Sequence, residues 1–283
     1  MRLVRFGERG RERPGLVDGS QVVRDVSELV HDWVPELLTP EHLARIAALD
    51  LRDFPAVSAH TRLGVPLKGV GKLIGIGMNY RDFAEHGKRP IPAEPSLFTK
   101  AISCLTGPDD EVILPRGSTR TDWEVELGVV VGRTARYVDK ARALDHVAGY
   151  CLVNDLSERE FQNDRGGTWD KGKGCDTFGP VGPWLVTKDE IRDPQDVDLW
   201  LEVNGTRYQN GHTRNMIFSV MDLVAYVSCF MTLEPGDILT TGTPAGVGAA
   251  LEPPVFLAAG DVMLLGSGKL GRQRHRVTAF RSL

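Results

Sequence analysis

The sequence predicts a β-rich α+β fold: a twisted or rolled-up mixed sheet with a small N-terminal domain attached. Three features point that way. Short apolar runs bounded by turn residues recur along the chain, few stretches place apolar residues at helical spacing, and no repeat or low-complexity segment breaks the pattern.

In order, residues 3–6 read as a strand, and residues 15–17, the turn Asp18-Gly19 and residues 22–23 as a hairpin. Thr39-Pro40-Glu41 marks a helix start, because the fixed φ of proline suits the first helical position. Residues 1–70 hold too little apolar sequence for a deep core. They are expected to pack, as a small N-terminal domain, on a larger domain of residues 71–283. Residues 73–77 form a buried strand that delivers Met78-Asn79-Tyr80 to a loop, followed by a helical turn over 82–86. Pro90, Pro92 and Pro95 make residues 88–96 an extended crossing. Further strands are expected at 112–114, 121–131 and 147–153, with a short helix at 140–146. Residues 165–182 are dense in glycine, and a loop of that kind inside a compact domain usually carries function. Asn204-Gly205 closes a hairpin between 199–203 and 207–209, Ser219 caps a helix running to 230, and strands follow at 237–240, 262–265 and 274–280.

The charge balance narrows the function. A net charge of -4 without a basic tract excludes nucleic acid as a partner. No apolar run approaches the roughly 18 residues that span a bilayer, so no membrane is expected. The first residues lack the apolar segment of a signal peptide. Cys104, Cys151, Cys175 and Cys229 are scattered without metal-site or disulfide spacing. Together these features predict a cytoplasmic protein with reduced thiols.

The chemistry concentrates in Thr121-Asp122-Trp123-Glu124-Val125-Glu126-Leu127. On a strand, Glu124 and Glu126 point to the same face, and two carboxylates entering a buried strand repel each other and resist desolvation. A shared proton, a basic partner or a metal cation would neutralise them; an isolated pair of this kind more often faces water on an edge strand. Asp155 closes the strand at 147–153, so neighbouring strands would bring three carboxylates together, an oxygen set suited to Mg2+ or Mn2+. Lys173 lies between Gly172 and Gly174, where backbone freedom lets it reach a ligand, although most loop lysines are simply solvated. Thr241-Gly242-Thr243-Pro244 reads either as a cradle for a carboxylate or as a plain surface turn. The spacings of dinucleotide-binding, P-loop, zinc-protease and GxSxG hydrolase motifs are absent.

Over about residues 70 to 280 the chain resembles the fumarylacetoacetate hydrolase superfamily. The resemblance is carried by Gly77-Met78-Asn79-Tyr80, Asp122-Trp123-Glu124-Val125-Glu126, Asn154-Asp155-Leu156-Ser157-Glu158-Arg159, Gly172-Lys173-Gly174-Cys175-Asp176-Thr177-Phe178 and Gly242-Thr243-Pro244, in the family's order. The stretch from 166 to 177 is most similar to bacterial hydrolases of 2,4-diketo-3-deoxy sugar acids, such as the rhamnonate derivative. The resemblance implies a rolled mixed β-sheet core, a homodimer, and a Mg2+ (or Mn2+, with Ca2+ a further candidate) held by Glu124, Glu126 and Asp155. It implies catalytic roles for Lys173 and Gln162, a substrate-carboxylate contact at Thr243, and a place for Arg159 near the substrate.

One departure separates this chain from many hydrolytic members. Where they carry a His and, three residues on, a Glu that orient the attacking water, this chain has Phe83 and His86. His86 becomes the candidate base from the position of the base's partner. The expected activity is Mg2+-dependent hydrolysis of a carbon–carbon bond in a small 2,4-dioxo acid. The alternative on the same platform is a decarboxylase, tautomerase or isomerase of oxo acids of the oxaloacetate or hydroxymuconate type. A protein reduced to binding oxo acids is the third reading.

Overall fold

The computed structural model describes residues 1–87 and 90–281. The chain opens with β1 (Arg2–Phe6), β2 (Arg13–Val17) and β3 (Val23–Asp25), an antiparallel meander whose second turn is the expected hairpin. Helix α1 (Pro40–Ala47) begins where Thr39-Pro40 predicts, and Thr39 Oγ1 accepts from the His42 N–H at 3.3 Å. Strand β4 (Leu73–Gly77) runs into α2 (Arg81–His86) and returns as β5 (Ser96–Lys100), antiparallel to β4. The proline-rich crossing at 88–96 lies partly outside the described residues, and β5 begins at its end. No expectation covered β5, because its short run Ser96-Leu97-Phe98-Thr99-Lys100 mixes polar and apolar residues directly after the prolines.

The middle of the chain supplies β6 (Leu105–Thr106), β7 (Val112–Ile113), β8 (Thr121–Asp122), β9 (Val125–Val131) and β10 (Val147–Asn154). The expected long strand at 121–131 is thus broken at Trp123 and Glu124. The expected helix at 140–146 is present as a 3-10 turn. Strand β11 (Ser157–Glu158), α3 (Arg159–Asn163), α4 (Asp170–Lys173) and β12 (Gly179–Thr187) follow. The glycine-dense segment is therefore not one open loop, since it contains α4 and the start of β12. Strands β13 (Asp198–Val203) and β14 (Thr206–His212) form the clearest predicted hairpin; Asn204 and Gly205 carry the positive φ angles, 52° and 80°, that its two-residue turn requires. Helix α5 (Val220–Ser228) has the Ser219 cap, closed by a reciprocal bond to Asp222. Strands β15 (Ile238–Thr240), β16 (Val262–Ser267) and β17 (Gly271–Thr278) complete the chain.

Among the described residues, these strands build a ten-stranded mixed sheet in the order β3-β2-β1-β12-β10-β9-β15-β4-β5, with β6 beside β12. A second, five-stranded sheet runs β14-β13-β16-β17-β7, and β8 pairs with β11. Strands β9 and β10 lie centrally and are buried along their whole length, which explains why they are apolar apart from Glu126 and Asn154. Leu127, Val129, Leu152 and Val153 from these strands belong to the core. No helix among the described residues is long and apolar enough to cross a membrane.

The N-terminal segment extends the large sheet, because β1 pairs with β12, Leu3 opposite Leu185. Trp33, fully buried, fixes this segment: its Nε1 donates to Val4 O at 2.9 Å and Gly15 O at 3.1 Å, joining β1 to β2 from one side. Replacing it removes a large buried ring and leaves two sheet carbonyls without that donor. Trp33→Ala is expected to lower stability by roughly 3–5 kcal/mol, read from the urea midpoint at unchanged slope. A loss below about 1 kcal/mol would show that this ring does not hold the segment.

Candidate metal centre

The site follows from how β9 pairs with β10. The strands are antiparallel with Val153 opposite Glu126 and Asn154 opposite Val125. The pairing continues one residue past β10, where the Asp155 N–H donates to Glu124 O at 2.8 Å. The side chain of Asn154 steadies the break before β9 by accepting from the Glu124 N–H at 3.2 Å. Glu124 and Glu126, two apart, and Asp155, directly across, therefore converge. One oxygen from each lies within 4.8 Å of the others. All three residues are buried.

The surrounding charges are distributed unevenly. Lys173 Nζ donates to Glu124 Oε2 at 2.7 Å and Asp155 Oδ2 at 2.6 Å. Lys100 Nζ lies 2.6 Å from Asp155 Oδ1 and donates to Leu156 O at 3.3 Å. Arg159 Nη2 donates to Glu124 Oε1 at 2.5 Å. Burial pushes the Asp155 carboxyl up, but Lys100 and Lys173 outweigh it and hold it below its ordinary value. Burial likewise works against the Lys173 ammonium, and Asp155 and Glu124 more than reverse this, leaving it firmly charged. Glu126 differs. Its Oε2 accepts from the Gly242 N–H at 2.8 Å, and no ion pair among the described residues includes it. Burial, then the charges of Asp155 and Glu124, push it well above the ordinary carboxylate range. A nearly sealed carboxylate short of positive charge, beside two others, is a donor set that fits a hard divalent cation with oxygen ligands.

A cavity of about 340 Å³ opens onto this cluster and is lined by Glu124, Glu126, Arg159, Gln162, Lys173, Thr243, Phe83 and His86. Asp155 sits behind the wall, fully buried. Gln162, on α3, accepts from Arg159 Nη1 at 3.0 Å through its Oε1. The 241–244 segment is buried rather than a surface turn, and the Thr243 hydroxyl is held between Gln209 Nε2 at 2.8 Å and Val125 O at 2.9 Å. His86 ends α2 with Phe83 one turn earlier, so both face the same space.

Lys173 reaches the cluster for a different reason from the one its glycine neighbours suggested. It closes the short helix α4, and neither Gly172 nor Gly174 has a positive φ. Gly172 is needed for contact: a Cβ there would lie 2.4 Å from Glu158 O, so only glycine lets α4 pack onto the β11–α3 junction. Gly77 plays a similar part, since a Cβ would meet the Trp169 ring at 2.4 Å. Trp169 and Phe98 pack with ring centres 5.4 Å apart, and both line the cavity.

Several contributors escaped the sequence reading. Asp122 anchors Arg159, accepting from its Nε at 3.0 Å and from the N–H groups of Gly248 at 2.7 Å and Ala249 at 2.9 Å. Its alternation with Glu124 and Glu126 was the available signal. Lys100 had none, because it belongs to the unexpected strand β5. Glu252, at the cavity wall, stands in an otherwise unmarked proline-rich run.

Residues 72–278 match the family model for the fumarylacetoacetate (FAA) hydrolase C-terminal region. A protein of Burkholderia ambifaria (strain MC40-6), provisionally named a hydrolase, is 56% identical over 274 residues, which cover 96% of this chain and 97% of that one. The fumarylacetoacetate hydrolase of psychrophilic Exiguobacterium antarcticum superposes with a TM-score of 0.88 at 34% identity, over 99% of this chain and 100% of that one. Maleylpyruvate hydrolase from Sphingobium sp. SYK-6, solved with manganese(II) and pyruvate, gives 0.82 and 31% over the same shares of the two chains, 99% and 100%. The 5-carboxymethyl-2-hydroxymuconate delta-isomerase of Mycobacterium smegmatis gives 0.77 and 30%, with 100% of both chains covered. Hydrolases and isomerases thus share this architecture, and the match across residues 72–278 settles the kinship they have in common: the chain belongs to the fumarylacetoacetate hydrolase family.

Proposed function

We propose that this protein is a hydrolase, dependent on Mg2+ or Mn2+, that cleaves a carbon–carbon bond in a 2,4-dioxo acid of the acylpyruvate type, 2,4-diketo-3-deoxy sugar acids among them. The observation that carries the reading is Glu126, a buried carboxylate without a cation partner among the described residues, placed with Glu124 and Asp155 at the floor of a cavity. A cation held by these three residues would stabilise the negative charge that gathers on the 2-oxo oxygen as the bond between C3 and C4 breaks.

The side chains around it divide the remaining work. The Lys173 ammonium, on the cavity wall, offers a second positive charge to the same developing oxyanion or a proton to the departing carbon. Gln162 spends its Oε1 on Arg159, which leaves its amide N–H groups to donate to substrate. Arg159 is committed to Asp122, Glu124 and Gln162, so it acts mainly by fixing Glu124 and Gln162 rather than by gripping substrate. Thr243 forms the wall where the substrate carboxylate would rest. His86 lines the cavity with an imidazole, the side chain that most often serves as a general base, and we assign it the activation of water.

Phe83 favours a second reading. It puts an apolar ring where water would otherwise be held, which suits decarboxylation, tautomerisation or isomerisation of an oxo acid, reactions that need no positioned water. We further propose that the chain works as a cytoplasmic homodimer.

Titration calorimetry is expected to find about one Mg2+ or Mn2+ per chain, and none with Glu126→Ala; undiminished binding in that variant would move the metal elsewhere. Proton NMR of products from an acylpyruvate panel and oxaloacetate should show hydrolysis. His86→Ala should slow that hydrolysis by ~100-fold or more with metal affinity unchanged, a span usual for a general base. Pyruvate arising only by loss of carbon dioxide would replace the hydrolase reading with the second one. Light scattering should return twice the 31.1 kDa chain mass, and a monomer mass would remove the dimer.

A further inference from the structure

Every oxygen of Glu124 and Asp155 already has a positive group against it. Arg159 Nη2 is 2.5 Å from Glu124 Oε1 and Lys173 Nζ 2.7 Å from Glu124 Oε2. Lys100 Nζ is 2.6 Å from Asp155 Oδ1, and Lys173 Nζ 2.6 Å from Asp155 Oδ2. A divalent cation entering this cluster must therefore share or displace one of these groups.

The three are not equally free to yield. Arg159 is tied at the same time to Asp122 and Gln162, two partners outside the cluster. Lys100 has a fully buried side chain on β5 and does not line the cavity. Lys173 lines the cavity and bridges two of the three carboxylates. It also has a second favourable neighbour, since its Nζ lies 5.1 Å from the centre of the Phe98 ring, and aromatic faces attract ammonium groups.

We propose that the Lys173 ammonium and the divalent cation compete for Glu124 and Asp155. In the metal-free protein Lys173 neutralises the two carboxylates. On metal entry its hold on them weakens and Nζ turns towards the cavity and Phe98. The coupling is reciprocal: the metal releases Lys173 by as much as Lys173 weakens the metal. Metal loading then makes the ammonium available to substrate, and an empty site keeps it engaged. This inference rests on the metal reading above and adds the direction in which one particular side chain changes metal affinity.

The test is Mn2+ titration calorimetry on the full-length wild type, Lys173→Met and Lys173→Arg. Removing a charge so close to ligand oxygens should tighten Mn2+ binding by about tenfold or more in Lys173→Met, while Lys173→Arg, which keeps the charge, stays near wild type. Added Mn2+ should also raise the melting temperature of Lys173→Met by more than that of the wild type. Should Lys173→Met not fold without metal, Lys173→Gln is read in the same way, and recovery of a cooperative melt on adding Mn2+ supports the proposal. Equal or weaker Mn2+ binding by the neutral variants overturns it. Absence of Mn2+ binding in the wild type and the neutral variants alike would instead overturn the metal reading on which it rests.

Discussion

Three carboxylates buried side by side must be held together against their mutual repulsion, and the structure around Glu124, Glu126 and Asp155 is arranged to do so. Antiparallel pairing of β9 with β10 brings them into one place, and backbone bonds on both sides of the pair fix the register. A slip of one residue would turn Glu126 to the opposite face and dissolve the cluster. The bonds from the Asp155 N–H to Glu124 O and from the Glu124 N–H to the Asn154 side chain hold the register against that slip. Removing one partner from a buried charge network generally costs far more than the network contributes to stability. Its role here is to specify a site.

The rest of the fold supplies the counter-charges from separate elements. Lys100 comes from β5 at the far end of the large sheet, Arg159 from α3 and Lys173 from α4. Each is anchored by packing that leaves little choice. Asp122 gathers Arg159 and two backbone N–H groups from the 248–249 turn, which ties β8 to a distant loop. Gly172 permits α4 to touch the backbone at Glu158, and that contact sets the height from which Lys173 reaches the carboxylates. Asn79 secures the turn between β4 and α2, donating to Thr241 O at 2.9 Å and Phe218 O at 3.0 Å, so the helix bearing Phe83 and His86 is fixed relative to the floor.

The cavity lining is mixed as a result. Carboxylates, an ammonium and an amide share it with the aromatic rings of Phe98, Trp169 and Phe83. That mixture suits a small oxo acid, whose carboxylate and keto oxygens seek charge while its carbon chain seeks an apolar surface.

Much of this was legible in the chain itself, wherever the deciding physics is local. Apolar runs and turn chemistry located β4, β9, β10 and the β13–β14 hairpin, Thr39 and Ser219 marked their helices, and the two-residue spacing of Glu124 and Glu126 marked them as a pair, although Glu124 falls just before β9. The motif order also carried the family. Long-range packing decided the rest. Only the sheet register set Asp155 across from Glu124, and only close packing at Gly172 revealed a helix where glycines suggested a loop. Lys100 became part of the site through a strand whose sequence is unremarkable by itself, stabilised by its pairing with β4. Sequence determined which carboxylates were available, because side-chain period is a property of the strand alone. Tertiary structure decided which cations face them, because a counter-ion is chosen by distance through space and not by separation along the chain.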